Sequence, residues 1–247
     1  IDSCRDVEIR HCNIDTGDDC IVLRAIDRFQ ETPRPCEQVL VENCTLRSSC
    51  NAIRISYLRD GVIRNATFRN ITVTESRRGI ICQIPAPTET PERRTDLPAG
   101  NGTVVENLYF GNCRIKARQP LWFVLSDDWQ ARRLENFTFE NITAVGTNAM
   151  VFKGNAAAPV KNLVIRNLEM ALTHGQPFYR SVYQQVEEAA AFLSIAHCEN
   201  AVLENITVRG ENGQLAAELP VAAVQGPAVK GVEAIRNHTP RRLAHVC

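Results

Sequence analysis

Alternating apolar and polar positions recur along the chain in short segments of one form. Each segment reads apolar, any, apolar, any, Asn, apolar, any, apolar. Strict alternation with Val, Ile and Phe is typical of strands that are buried on one face, so the pattern predicts β-structure. Seven copies are present: Val7–Ile14, Val39–Leu46, Ala66–Val73, Leu108–Ile115, Phe137–Ala144, Leu163–Met170 and Ala201–Val208.

The polar residue at the centre of each copy is expected to mark a bend. Asparagine tolerates the left-handed backbone conformation and can hydrogen-bond to neighbouring amides, so two strands can meet there. Stacked copies would bring the asparagine amides into a ladder of hydrogen bonds, which we expect to be buried. The column consists of Asn43, Asn70, Asn112, Asn141, Asn167 and Asn205, with His11 in the first copy.

The ladder changes how the N-x-T sequons are interpreted. Sequons that begin in the column are predicted to be structural rather than glycosylated, and this applies to Asn43, Asn70, Asn141 and Asn205. Asparagines outside the column are better candidates for glycosylation, namely Asn65, Asn101, Asn136 and Asn237.

A second short apolar segment follows each bend, and the most regular copies recur about every 27 residues, a period typical of solenoids. Two strands per copy predict an all-β chain folded as a right-handed parallel β-helix with about seven rungs. A leucine-rich repeat also has an asparagine column, but it demands leucine-rich positions and a helix in each copy. The second segments are Ile21–Leu23, Ile53–Ile55, Ile80–Cys82, Leu121–Leu125 and Met150–Phe152.

We expect a single domain over residues 1–247 with two loop insertions and a cap. Residues 85–103 are rich in Pro and Gly and lack a strand pattern. Residues 174–196 form the second insertion, in which Val186–Leu193 resembles a short helix. The repeat fades over residues 214–247, which are predicted to cap the stack.

Composition narrows the range of partners. The 247 residues are 44% hydrophobic and carry a formal net charge of zero. No nucleic-acid partner is expected, because nucleic-acid-binding proteins usually carry a basic excess. No stretch approaches the 18 or so apolar residues of a membrane-spanning helix, so no membrane partner is expected. We expect a monomer.

The ten cysteines do not form a metal-binding pattern. They include no C-x-x-C pair, so no metal site is predicted. Cys12, Cys44 and Cys113 share a repeat position that is otherwise Ile or Leu, which predicts that they pack in the core. A disulfide between Cys20 and Cys36, or one that involves Cys247, remains open from the sequence.

Two adjacent acids are the strongest candidate for chemistry. Asp18 and Asp19 follow Thr-Gly at the solvent edge of the second strand in the first copy. Neighbouring carboxylates repel each other, so one is expected to hold its proton while the other stays ionised, as acid–base catalysis requires. The same pair is also compatible with a turn in which Asp side chains cap backbone amides.

Alignment on the asparagine column places other polar residues beside the acids. Asp18, Cys50 and Arg77 share one column, and Asp19, Asn51 and Arg78 share the next. Arg54 lies between the acids and the arginine pair on the outward face. Arg77 and Arg78 are candidates for substrate binding, although an arginine pair also occurs in solvated turns.

The segment Asn13–Ile21, with the sequence NIDTGDDCI, resembles the Asp-Asp motif of glycoside hydrolase family 28. This family contains the polygalacturonases and rhamnogalacturonases, which are right-handed parallel β-helices. The resemblance covers most of the chain and is strongest over residues 3–83. It implies hydrolysis of pectin with inversion and without a cofactor, Asp19 as general acid, and Asp18 as a residue that holds and activates water. It also implies a polysaccharide or oligosaccharide substrate and an extracellular or periplasmic location.

The chain departs from the family pattern in three places. The family's Asn-Thr-Asp motif would fall just before Ile1, so we expect the given sequence to lack that rung. Its Gly-His-Gly aligns with Cys50–Ala52, where Asn51 takes the histidine position. Its Arg-Ile-Lys aligns with Ile81–Gln83, which lacks both basic residues.

Other residues are therefore expected to bind the substrate. Arg54, Arg77 and Arg78 are the candidates for a uronate carboxylate, because arginine binds carboxylates bidentately. Asn51 is the fourth candidate. The alternatives to a hydrolase are a carbohydrate-binding β-helix with impaired catalysis, and a polysaccharide lyase or uronate epimerase on the same fold.

Overall fold

The computed structural model describes residues 1–26, 31–57, 60–84, 102–125, 131–172, 178–180, 186–188, 192–210, 222–225 and 245–246. Every regular element in these ranges is a strand. The strands are β1 (Arg5–Arg10), β2 (Asn13–Thr16), β3 (Ile21–Leu23), β4 (Cys36–Glu42), β5 (Thr45–Ile55), β6 (Val62–Arg69), β7 (Thr72–Ile84), β8 (Thr103–Lys116), β9 (Gln119–Leu125), β10 (Ala131–Gly146), β11 (Met150–Lys153), β12 (Val160–Leu172), β13 (Phe178–Arg180), β14 (Val186–Glu188), β15 (Leu193–Ala196), β16 (Cys198–Glu199), β17 (Val202–Gly210), β18 (Ala222–Gln225) and β19 (His245–Val246).

The rungs stack through parallel pairing in the register that the repeat predicts. Along the first strand of each copy, β1 pairs with β4, β4 with β6, β6 with β8, β8 with β10, and β10 with β12. The second apolar segments also pair in parallel, as in β3 with β5 and β7 with β9. The right-handed parallel β-helix predicted from the sequence is confirmed.

The core is a column of apolar side chains along the axis of the solenoid. Because the register aligns equivalent positions, Phe110 stacks between Phe68 and Phe139, with ring centroids 4.9 and 4.8 Å apart. Phe123 stacks in the same way on Phe152, at 5.2 Å. Each of these rings lies one rung from the ring on which it stacks. Aromatic contact therefore adds to the stabilisation from burial between these rungs.

The asparagine ladder is present, but the prediction that it is buried is wrong. From Asn70 onward, each side-chain amide donates to the side-chain oxygen of the asparagine on the preceding rung, for example Asn70 to Asn43 at 3.0 Å and Asn141 to Asn112 at 3.0 Å. All six residues have φ between 53° and 55° and are exposed. The left-handed bend turns the side chain away from the core, so the ladder runs along the outside of the corner.

A second ladder, which the sequence analysis missed, lies five residues before the first. It links Asn107 to Asn65 at 2.9 Å and Asn136 to Asn107 at 2.8 Å, and it continues through Asn162 and Asn200. These residues also have positive φ. Asn65 and Asn136, the glycosylation candidates outside the first column, belong to this second ladder, and their glycosylation stays a prediction. The regular five-residue offset was the available signal.

Buried carboxylates between arginines help to fix the register of the first rungs. Glu37 is 2% exposed and accepts a hydrogen bond from Arg5 on one side and from Arg64 on the other, each at 2.6 Å. The hydrogen bond from Arg64 lowers the pKa of Glu37, and the one from Arg5 acts in the same direction. If the strands stacked one rung out of order, Arg5 would lie against Arg64. The alternation of positive and negative side chains therefore favours the observed stacking order.

The cysteines are unpaired throughout the described residues. Cys20 and Cys36 are both free thiols, so the disulfide considered for them does not form. The Cys20 thiol points at the carbonyl oxygen of Arg47, 3.0 Å away, whereas Cys36 is buried. Cys44 and Cys113 are buried as predicted, and Cys12 is half-buried. Cys247 lies outside the described residues.

The insertions are only partly described. Residues 85–101 lie outside the described ranges, and Thr103 already belongs to β8. Where a short helix was suggested, Val186–Glu188 forms an antiparallel pair with Phe178–Arg180 instead. Leu193–Ala196 pairs in register with Met150–Lys153, so the solenoid resumes before the predicted end of that insertion.

The region predicted as a cap lies mostly outside the described residues. Within it, Ala222–Gln225 pairs in parallel with β15 and continues that sheet.

No helix in the described ranges combines the length and hydropathy needed to cross a membrane.

The ladder predicts a stability test at its centre. Asn141→Ala removes hydrogen bonds to both Asn112 and Asn167 and places alanine at φ 55°. We expect the free energy of unfolding to fall by about 2 kcal/mol, measured by urea denaturation. Asn141→Gly loses the ladder contacts but tolerates the bend, so its loss should be about half as large. Equal stability of the alanine variant and the wild type would contradict this account.

Candidate active site

The acids lie in a turn that is tied to the next rung. β2 ends at Thr16 and β3 begins at Ile21, and the carbonyl oxygen of Asp18 accepts hydrogen bonds from the hydroxyls of Thr16 and of Ser48, the latter at 2.7 Å. The amide of Asp19 donates to Oδ1 of Asp18 at 2.8 Å. The turn interpretation is therefore correct, and the turn holds both carboxyl groups in place.

The two acids differ in environment. The side chain of Asp19 is only 11% exposed, whereas Asp18 is exposed. Asp19 Oδ1 accepts a hydrogen bond from the amide of Asn51, and Oδ2 lies 3.4 Å from a guanidinium nitrogen of Arg54. Both oxygens of Asp19 therefore face donors from the next rung.

Arg78 is not a surface residue, which corrects the expectation that it faces the substrate. It is 3% exposed and donates to Oδ1 of Asn51 at 3.3 Å. With its oxygen turned to Arg78, the Asn51 amide must present its nitrogen to Asp19. Asp19, Asn51 and Arg78 thus form a hydrogen-bonded row across three rungs, and Gln119 is next in register.

Arg54 is held between the acid and an aromatic ring. Its guanidinium lies 4.2 Å from the ring centroid of Tyr57, a distance at which a cation is attracted to the ring face. The segment that carries Tyr57 is fixed by Asp60, which accepts a hydrogen bond from the Tyr57 amide at 2.7 Å and pairs with Arg24 at 2.8 Å. Sequence analysis missed Tyr57 and Asp60, because they follow the strand outside the repeat.

Arg77 lies on the opposite face of its strand from Arg78 and is exposed. It lines a groove of about 560 Å³ whose lining includes neither Arg54 nor the two acids. Ser48, whose hydroxyl contacts the backbone of Asp18, also lines this groove. The structure therefore brings Asn51 and Arg54 to Asp19 and places Arg77 elsewhere.

The outward column beyond Arg54 is apolar and buried. Ile81 and Trp122 follow Arg54 in register, and with Val124 and Val151 they form a separate buried cluster. The positions that align with the family's Arg and Lys are Ile81 and Gln83, which are 0% and 4% exposed. Asp127, Asp128 and Trp129, a second acid pair with its neighbouring tryptophan, lie outside the described residues.

Cys50 completes the polar surroundings of the acids. One ligand atom each from Asp18, Asp19 and Cys50 lies within 4.8 Å of the others. Burial and the charge of Asp19 raise the pKa of the Cys50 thiol to about 11, so it keeps its proton near neutrality. A protonated thiol and an Asp19 whose oxygens already face Asn51 and Arg54 make a poor donor set for a cation.

The strand arrangement defines the chain as a parallel β-helix protein. A solved structure with a similar fold is the family 28 exopolygalacturonase of Yersinia enterocolitica, with a TM-score of 0.57 and 16% sequence identity. The match covers 94% of this chain but only 38% of that one, so the chain spans well under half of its length. At this identity the likeness establishes the fold. No protein-family model and no curated protein matches the chain.

The thiol of Cys50 provides a reporter of the acid pair. In Asp19→Asn the loss of the neighbouring negative charge should lower the pKa of Cys50, because a carboxylate disfavours the adjacent thiolate. Burial remains, so the pKa should stay above that of a free cysteine. The measurement is the pH dependence of alkylation of the Cys50 peptide, followed by mass spectrometry. An unchanged midpoint would show that Asp19 does not influence the thiol.

Proposed function

We propose that the protein is an inverting glycoside hydrolase that cleaves a pectin-type, galacturonic acid-containing polysaccharide by acid–base catalysis. One observation carries the proposal: an exposed carboxyl group lies beside a second one whose oxygens face an amide and a guanidinium. Such a pair with unequal environments is what acid–base chemistry uses. The fold shared with a structure described as an exopolygalacturonase supports the substrate class.

We assign the roles within the pair from their contacts. The resemblance implied Asp19 as general acid, but donors on both of its oxygens suit a carboxylate, since a protonated oxygen would face another donor. Asp18 Oδ1 accepts a hydrogen bond from the Asp19 amide, and Oδ2 has no partner in the described part of the chain. Because Asp18 is exposed whereas Asp19 is only 11% exposed and held from the next rung, we propose Asp18 as the group that reaches the glycosidic oxygen as proton donor, and Asp19 as the carboxylate that orients water.

The spacing of the pair implies a further carboxylate. Inverting enzymes separate their acid and base by roughly 6.5–9.5 Å to admit a water molecule. Oxygens of Asp18 and Asp19 approach within 4.8 Å, so the two cannot flank the bond alone. We propose that a further carboxylate, in addition to the two acids of this turn, completes the catalytic site.

Arg54 is the proposed contact for a uronate carboxylate at the cleavage site. Its side chain is 17% exposed, and its Nε is buried without a hydrogen-bond partner within the described ranges. Asn51 is a positioning residue through its hydrogen bond to Asp19. For a polymeric substrate of this kind, we propose an extracellular or periplasmic location. We also propose that the protein acts as a monomer and without a cofactor.

A carbohydrate-binding β-helix without turnover is the second candidate. The observation that favours it is the replacement of the family's histidine, arginine and lysine by Asn51, Ile81 and Gln83, of which Ile81 is fully buried. Ile81 cannot contact a charged sugar group. Binding without turnover would follow if Arg54 did not replace these cations.

The proposal predicts how release of reducing ends from polygalacturonate responds to isosteric substitutions. Asp18→Asn should lower kcat by about 10³-fold and Asp19→Asn by at least 10²-fold, because general acid–base groups contribute about 10²–10⁴ each. The matched control is Asp6→Asn, an exposed acid on the same rung at φ 58°, where later rungs carry asparagine. Its activity should equal that of the wild type.

The products separate the candidate reactions. A hydrolase releases saturated reducing ends, whereas a lyase releases an unsaturated product that absorbs in the ultraviolet. The absence of turnover, with retained binding of polygalacturonate, would replace the hydrolase by the binding module. Full activity of Asp18→Asn would remove the pair from the mechanism.

A further inference from the structure

The groove that is lined by Ser48 and Arg77 has an unbalanced charge. Its basic residues are Arg47, Arg77, Lys116 and Arg118, and its acidic residues are Asp15 and Glu75, so the balance is four against two. Both acids are paired with Arg47, at 3.1 and 3.5 Å. Within the described part of the chain, Arg77, Lys116 and Arg118 have no carboxylate partner.

Two of these cations, Arg77 and Arg118, lie on rungs that follow the acid pair along the axis of the solenoid. Asn51, Arg78 and Gln119 are in register on successive rungs, so Arg77 and Arg118, which precede the last two, lie on adjacent rungs. Rungs are spaced by about 4.8 Å, which places the backbones at Arg77 and Arg118 about 10 and 14 Å from that at Asp18. One rung is close to the length of one pyranose residue in an extended polysaccharide.

The backbone that carries Arg118 is fixed on both sides. Its amide donates to the carbonyl oxygen of Ser76 at 3.2 Å, and its own carbonyl oxygen accepts from the amides of Thr147 and Asn148 at 3.1 and 2.8 Å. The wall of the groove is therefore ordered before any ligand arrives. An ordered wall lowers the entropic cost of binding.

We propose that this groove binds carboxylate groups of an anionic polysaccharide, at sugars beyond the one beside the acid pair. Arg77 and Arg118 take carboxylates on successive rungs, where arginine can form two parallel hydrogen bonds to each. Lys116 adds a third positive charge, and the exposed hydroxyl of Ser49 is available to a sugar hydroxyl. The identity of the polymer, a polyuronate, rests on the proposed function; the preference for a polyanion rests on the groove alone.

The groove also implies a preference for charged over neutral chains. Methyl esterification removes the negative charge of a uronate, so a methyl-esterified pectin should gain little from these three cations. Exposed cations are screened by salt, so the preference should be largest at low ionic strength.

The test measures binding of de-esterified polygalacturonate and of methyl-esterified pectin by calorimetry. All proteins carry Asp18→Asn so that the polymer stays intact. Arg77→Gln/Arg118→Gln should weaken binding of polygalacturonate at least tenfold at low salt, with a shallower salt dependence, and should leave the binding of esterified pectin unchanged. The charge-matched control, Arg132→Gln/Arg209→Gln, removes two exposed arginines outside the groove and should bind polygalacturonate within twofold of its parent.

The outcomes separate this proposal from the proposed function. Equal affinity of the groove variant and its parent, or equal weakening by the control, would overturn the groove even if the wild type cleaves polygalacturonate. Selective loss of binding in the groove variant would support the groove, even if the wild type releases no reducing ends and the hydrolase proposal fails. The groove proposal would also be overturned if the parent protein, which carries only Asp18→Asn, did not bind polygalacturonate more tightly than esterified pectin.

Discussion

In-register stacking of parallel strands is the interaction on which this molecule depends, because it sets each residue beside its counterpart on the next rung. Aromatic rings meet aromatic rings, as in the stack around Phe110, and carboxylates meet guanidinium groups, as at Glu37. The asparagine bends fall at two fixed positions of the repeat. A strand that slipped by one residue would turn its apolar side chains outward, so the register is strongly specified.

The candidate site is a product of the same stacking. Asp19 is oriented by Asn51 and Asn51 by Arg78, so the hydrogen bonds run along the axis rather than within a single loop. A buried guanidinium needs hydrogen-bond partners to offset its lost hydration, and the Asn51 oxygen provides one of them. Polar groups that are fixed in this way before a substrate binds need little reorganisation during a reaction, which is how preorganised electrostatics contributes to catalysis.

The fold could be predicted from the sequence because its evidence is local and periodic. The asparagine column and the second apolar segments gave the rungs and their alignment, including the register of Asn51 with Arg78. The faces of Arg77 and Arg78 could not be predicted, because the pairing of β5 with β7 shifts between Ser48 and Asn51 and strict alternation is lost. The contacts of Tyr57 and Asp60 could not be predicted either, because residues that follow the end of a strand show no periodic pattern. The exposure of the ladder could not be predicted either, because it depends on the backbone geometry at the bend, which the alternation of apolar and polar residues does not specify.

Both ladders have a direction. In every described link, for example Asn112 to Asn70 and Asn205 to Asn167, the later rung donates and the earlier rung accepts. The amide dipoles therefore point the same way along each edge, and neighbouring links polarise one another. Asn43 turns a donor toward the first rung, while the oxygen of Asn205 faces onward. The two ends of such a stack are therefore complementary and could hydrogen-bond to each other head to tail. The segments that cover these ends must also prevent the solenoid from assembling into a fibre.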